Sequence, residues 1–126
     1  MAVNYATGVK NSRMTVVRDA IDAGAGAGIL EIGTAGMAVV LATITLNDPA
    51  GTISAGVLTL TGFPKTATAG ATGTAAAARI RDSTNADVVT GLTVGTSGTD
   101  IVLAGTAAIT SGQTVQINSA TITHAA

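Results

Sequence analysis

The residue order predicts a mainly β protein, a jelly-roll-like or Greek-key β-sandwich with one short N-terminal helix. Three observations lead there. Apolar residues recur at helical spacing only near the N-terminus. Beyond residue 28 they alternate with Thr, Ser and Gly in short runs, and Gly, Asn, Asp or Pro cuts those runs about every ten residues. Helices do not alternate with the strands, which disfavours a parallel α/β arrangement. At 126 residues the chain has the length of one domain, residues 1–126, and at this size about two-thirds of the unfolded surface can be buried.

Taken in order, residues 1–10 read as an N-terminal arm and residues 11–24 as the helix. Met14, Val17, Ala20 and Ile21 recur at spacings of three and four on one face, while Arg13, Arg18, Asp19 and Asp22 fall largely on the other. Asn11 or Ser12 is the expected N-cap, and Gly24 suits the left-handed position that ends a helix. About six or seven strands should follow. The first, over 28–34, carries Ile29, Leu30 and Ile32; the second, over 38–46, sets Val40, Ala42, Ile44 and Leu46 against Leu41, Thr43 and Thr45. Asn47, Asp48 and Pro49 stop it, and Ile53 with the run 56–63 forms a third strand region, Leu58 and Leu60 facing away from Val57, Thr59 and Thr61.

Residues 64–73, rich in Ala, Thr and Gly, read as an exposed loop. A hairpin is expected from 74–81 and 87–94 around the turn at 83–86, then a strand over 100–104. In the last strand, 114–124, the alternation Val115, Ile117 slips to Ala120, Ile122, which predicts a bulge or bend near Asn118 and Ser119.

Composition bears on function. Apolar residues make up 47% of the chain, but Phe63 and Tyr5 are the only aromatic ones, so large anchors that bury about 150–250 Å² each are nearly absent. Charged residues are 10%, against about 25% in ordinary soluble domains, and the net charge is -1. A surface of Thr, Ser, Ala and Gly loses little when buried against a partner, having few charges to desolvate and few long side chains to immobilise. That favours an assembly protein. There is no Cys, hence no disulfide, thiolate metal site or thiol nucleophile. No apolar run approaches a membrane span, and residues 1–10 lack the apolar core of a signal peptide, so a soluble protein is expected.

Candidate chemical sites are weak. The Gly-rich stretch 24–28 follows a helix and precedes a strand, the reverse of a phosphate loop, and reads as a close-packed connection. His124 is the sole histidine and reads as an edge or interface group; no Gly-x-Ser-x-Gly elbow is present. Asp82 and Asp87 flank a turn without the acid spacing of a calcium loop. Arg79 and Arg81 should share a side of their strand and pair with Asp87 or with acids on a neighbouring subunit. Clustered Lys and Arg and aromatic platforms are both lacking, so nucleic acid is not an expected partner. No enzyme activity, cofactor or metal is expected.

The chain resembles the tailed-bacteriophage head decoration, or capsid cement, proteins. The resemblance lies in the helix ending Asp22-Ala23-Gly24-Ala25-Gly26-Ala27-Gly28 leading into Leu30-Glu31-Ile32, and in Leu41-Ala42-Thr43-Ile44-Thr45-Leu46-Asn47-Asp48-Pro49. It continues through Arg79-Ile80-Arg81-Asp82, Val94-Gly95-Thr96-Ser97-Gly98-Thr99-Asp100, Thr110-Ser111-Gly112-Gln113-Thr114-Val115 and Thr121-Ile122-Thr123-His124. The chain departs from the pattern at Ala75 to Ala78, where a large aromatic would precede Arg79. The resemblance implies a jelly-roll-like virion protein on the outer surface of the capsid, made in the host cytoplasm. It would bind the major capsid protein and its own copies, as homodimer or homotrimer. Tyr5, Lys10, Lys65, Arg79, Arg81 and His124 are the expected interface residues. The alternative is a ligand- or glycan-binding β module of a phage tail or surface fibre.

Overall fold

The computed structural model describes residues 5–24, 26–48 and 50–123. The fold is mainly β with one helix, as expected. Helix α1 spans Thr7–Ile21, and the strands are β1 Ile29–Gly33, β2 Val40–Thr45, β3 Gly51–Ser54, β4 Val57–Leu60, β5 Lys65–Thr68, β6 Gly73–Thr74, β7 Ala77–Arg81, β8 Asp87–Gly95, β9 Ile101–Leu103, β10 Ala108–Ile109 and β11 Thr114–Thr123. Nine strands form one curled, mixed sheet in the order β2-β1-β7-β8-β9-β11-β4-β3, with β5 also on β11; β6 and β10 make a separate pair.

The helix starts earlier than its polar residues suggest. Its N-cap is Ala6, with no side-chain cap, so residues 7–10 belong to the helix and not to an arm. Asn11 is occupied elsewhere: its Oδ1 accepts from the Gly56 N–H at 2.8 Å, while the Ser12 hydroxyl donates back to the Gly8 carbonyl. The C-cap is Asp22, and Gly24 takes its left-handed φ of 93° two residues later. Met14 and Ile21 are buried and Val17 packs on the core, the face predicted from spacing.

Three side-chain-to-backbone bonds fix the helix to the sheet. Asn11 grips the turn between β3 and β4, where Ala55 and Gly56 both have positive φ, the geometry of a two-residue hairpin turn. At the other end Asp22 Oδ1 accepts from the Ala50 N–H at 3.0 Å, and the Ser83 hydroxyl donates to the Ala23 carbonyl at 2.9 Å. Gly28 makes the close approach that the composition of this connection predicts. A Cβ on Gly28 would lie 2.7 Å from Ile21 Cγ2 and 2.8 Å from the Arg81 and Ile21 carbonyl oxygens.

Strand β1 pairs antiparallel with β2 and β7, placing Leu30, Ile32, Ala42, Ile44, Ala78 and Ile80 inward. β7 and β8 form the expected hairpin, with register shifts on either side of Ile80. β8 and β9 then pair in parallel over two residue pairs. The loop between them doubles back because Asp100 Oδ2 accepts from the Thr93 N–H and hydroxyl, at 3.0 and 3.1 Å. In β11 the register to β9 shifts between Ile117 and Ser119, the bulge that the slipped alternation predicts, and Val115, Ile117, Ala120 and Ile122 all face the core.

Residues 64–73 are not an exposed loop. Lys65 to Thr68 form β5 on the edge of β11, and Ala69 is buried with its N–H on the Gln113 carbonyl. Low hydrophobicity hid this strand, because β5 alternates half-buried and exposed positions without a large apolar residue.

The close approach at Gly28 is testable. Gly28→Ala should lower stability by about 1–3 kcal/mol, since the new methyl meets backbone oxygen. Gly8→Ala, in a helix with nothing within 4 Å, should raise it by about 0.5–1 kcal/mol. Denaturant unfolding of both variants checks the pair; equal effects would contradict the packing described.

Candidate interaction surface

The expected interface residues fall on separate elements. Tyr5 and Lys10 lie at the helix N-terminus, Lys65 on β5, and Arg79 and Arg81 on β7; His124 lies outside the described residues. Lys65, Arg79 and Arg81 bond residues outside this set: Asn47, Glu31 and Asp87.

The two arginines are engaged within the chain. β1 and β7 place Glu31 directly opposite Arg79, and the Arg79 Nε donates to Glu31 Oε1. Arg81, two residues on, stands on the same face, 3.6 Å from Glu31 Oε1 and 2.7 Å from Asp87 Oδ1. Two cations and two anions therefore neutralise one another on the outer face of β1, β7 and β8. Asp87 was visible as a partner in the sequence; Glu31, forty-eight residues from Arg79, was not, because only the sheet order makes them neighbours. The bond to Asp87 holds the Arg81 guanidinium above its ordinary pKa, partial desolvation opposes this, and Glu31 adds to it.

The turn after Arg81 is also self-contained. Asp82 Oδ1 accepts from the Thr84 hydroxyl at 2.6 Å and from the Thr84 and Ala86 N–H groups. These bonds, the hydroxyl first, hold its carboxyl below the usual carboxylate range. All three bonds end on Oδ1 and serve the turn that the sequence suggests. Among the described residues no group of three His, Asp or Glu side chains is placed to hold a metal ion.

The helix presents a different surface. Val9 and Val16, seven residues apart and hence on one face, are 47% and 68% exposed, and Tyr5 at its start is 40% exposed. Arg13 lies on the same side, its guanidinium carbon 4.9 Å from the Tyr5 ring centroid. Ala6, Gly8 and Ser12 complete a shallow groove of about 500 Å³. Sequence reading gave the outward face to Arg13, Arg18, Asp19 and Asp22; the signal for its apolar part was the spacing of Val9 and Val16, out of phase with Met14 and Ile21. Lys10 is half-buried, its stem lying over Gly56, where a Cβ would come within 3.1 Å of it. It anchors the helix more than it offers a free charge.

On β5, Lys65 donates from Nζ to Asn47 Oδ1 at 2.9 Å and sits 6.0 Å from the Phe63 ring centroid. No helix among the described residues is long and apolar enough to cross a membrane. Comparison with known protein families, characterised proteins and solved structures finds no match.

Asp22 supplies a pH test of the helix junction. Desolvation, then the nearby Asp48, raise its carboxyl pKa, and the Ala50 N–H only partly offsets them. A carboxyl raised in the fold binds protons more readily folded than unfolded. Its favourable contribution is therefore present below the ordinary carboxylate pKa and lost as pH rises through the raised value. Asp22→Asn keeps an oxygen for Ala50 but carries no charge. Its melting temperature should exceed that of the parent at neutral pH and converge with it in acid; parallel melting profiles across pH would contradict this.

Proposed function

We propose that this protein is a structural, non-catalytic virion component: a capsid decoration or cement protein that binds the major capsid protein on the outer shell and stabilises the head. The observation that carries the reading is the surface. The Glu31, Arg79, Arg81 and Asp87 charges are satisfied within the chain, whereas the helix turns Tyr5, Val9 and Val16 outward. Such a face loses water readily and has few charges to desolvate. The resemblance of the sequence segments to cement proteins supports the same reading. Many copies on a lattice need only weak individual contacts, because avidity multiplies them, and a thin-cored protein gains stability by linkage to its bound state.

In this reading the outward helix face and the strand edges meet the capsid protein or a second copy. Purified protein should sediment with shells lacking it, saturate at a fixed ratio to capsid subunits, and raise their heat resistance. Val16→Glu, at a solvent-exposed position, should leave the melting of the free protein unchanged and weaken shell binding by about tenfold or more, as losing an apolar anchor at an interface does. Absence of saturable binding by the parent protein would overturn the reading and favour a ligand- or glycan-binding module, to be screened against glycans.

A further inference from the structure

Helix α1 has two faces in different phase. Met14, Val17 and Ile21 turn to the core, whereas Val9, Ser12, Val16 and Asp19, at steps of three and four, form a second stripe that is exposed throughout. Val16 is the most exposed large apolar side chain among the described residues. At 3.6 residues per turn, Arg13 and Asp19 lie about 60° to either side of it, and about 4.5 Å before and after it along the axis. Both are exposed. Within the chain, Arg13 lies over the Tyr5 ring and Asp19 stands 3.7 Å from Arg18.

This arrangement is complementary to itself. A two-fold contact requires that residue i meet j and that j meet i. When two copies of α1 cross antiparallel with Val16 against Val16, every residue lies level with the one equally far beyond Val16 on the other copy. Arg13 of each copy then stands level with Asp19 of the other, and Val9 with Ala23, which is also exposed. A parallel crossing would set Arg13 against Arg13 and Asp19 against Asp19, and would align the two helix dipoles; the antiparallel crossing opposes them. Ser12, Thr15 and Ala20 beside Val16 are small, which lets the two axes approach to the roughly 8–10 Å of packed helices.

We infer that α1 is the element through which two copies of this protein associate, as an antiparallel helix pair on a two-fold axis at Val16 with Arg13 and Asp19 of opposite copies attracting each other on both sides of it. The inference rests on the reading above for the role of this face in association; of the two partners open to the face, the charge pattern selects a second copy and leaves the strand edges to the capsid subunit. A single helix crossing buries less than the roughly 1,200 Å² of a standard interface, so the dimer is weak, populated at about 100 μM protein and largely dissociated at about 1 μM. On a lattice a pair binds through both copies at once, and the high effective concentration offsets that weakness. Val16→Glu then weakens shell binding through lost avidity.

Sedimentation velocity of the full chain between about 1 and 500 μM tests the pairing, and the parent should pass from monomer to dimer over that range. Arg13→Glu and Asp19→Arg each turn two attractive contacts into two repulsive ones. Each alone should weaken dimerisation about tenfold or more, and the double variant should return to within about threefold of the parent. Val16→Glu should stay monomeric at about 500 μM, whereas Thr52→Glu, at an exposed position of β3, should dimerise like the parent. Melting at about 1 μM, where all are monomers, checks that each variant is folded. A parent that stays monomeric, a trimer, or a dimer that survives Val16→Glu or is not restored by the double charge reversal overturns the pairing and leaves the cement reading to the shell assay. A dimer that responds as expected but does not bind shells supports the pairing and overturns the cement reading.

Discussion

Strand β11 joins what would otherwise be two separate sheets. One edge of its ten residues pairs with β9; the other pairs with β5 through Thr114 to Ile117 and with β4 through Thr121 to Thr123. A strand with strict alternation could not serve both ends, since the curl of the sheet would turn half its apolar residues outward. The extra residue at Asn118 resets the alternation, so that Val115 and Ile117, and then Ala120 and Ile122, all reach one core. On the opposite edge the chain compensates through Thr61 to Pro64, which separate β4 from β5 as both follow the same long partner.

A core almost without aromatic residues has to gain its contacts by close approach of backbones. Gly28 lets the helix end lie against β7, and Gly51 admits the Thr59 carbonyl where a Cβ would come within 2.1 Å of its oxygen. Aliphatic side chains of modest size then fill the space: Ile21, Leu30, Ile32, Leu41, Leu58, Ile80, Ile101 and Ile117 are the largest that are fully buried. The helix contributes only a narrow apolar stripe to this core. Its orientation depends equally on Asn11, Asp22 and Ser83, each of which satisfies a backbone group at a junction.

The same economy shapes the surface. Cations and anions on β1, β7 and β8 pair with one another, Asp82 Oδ1 serves its own turn, and the outward helix face carries Val9 and Val16. The curl of the sheet brings β2 beside β5, where the Gly70 N–H bonds the Leu41 carbonyl although the two strands form no ladder. Edges of this kind ordinarily carry charges that discourage further pairing. Here Lys65 is the only charged residue of β2 and β5.

The sequence by itself determined the elements whose signal is local. Period-two patterning placed Leu30 with Ile32 and Leu58 with Leu60 on the core face, the turn residues at 83–86 set the β7–β8 hairpin, and the slip at Asn118 and Ser119 announced the bulge. Such signals survive because alternation and turn chemistry act over a few bonds. Only the tertiary structure decided that Asn11 binds a hairpin turn instead of capping the helix, that residues 65–68 form a strand, that β8 and β9 run parallel, and that Glu31 meets Arg79. In each case the deciding partner is distant along the chain, or is a backbone group, whose hydrogen-bonding capacity is the same at every residue but proline and leaves no mark in the sequence.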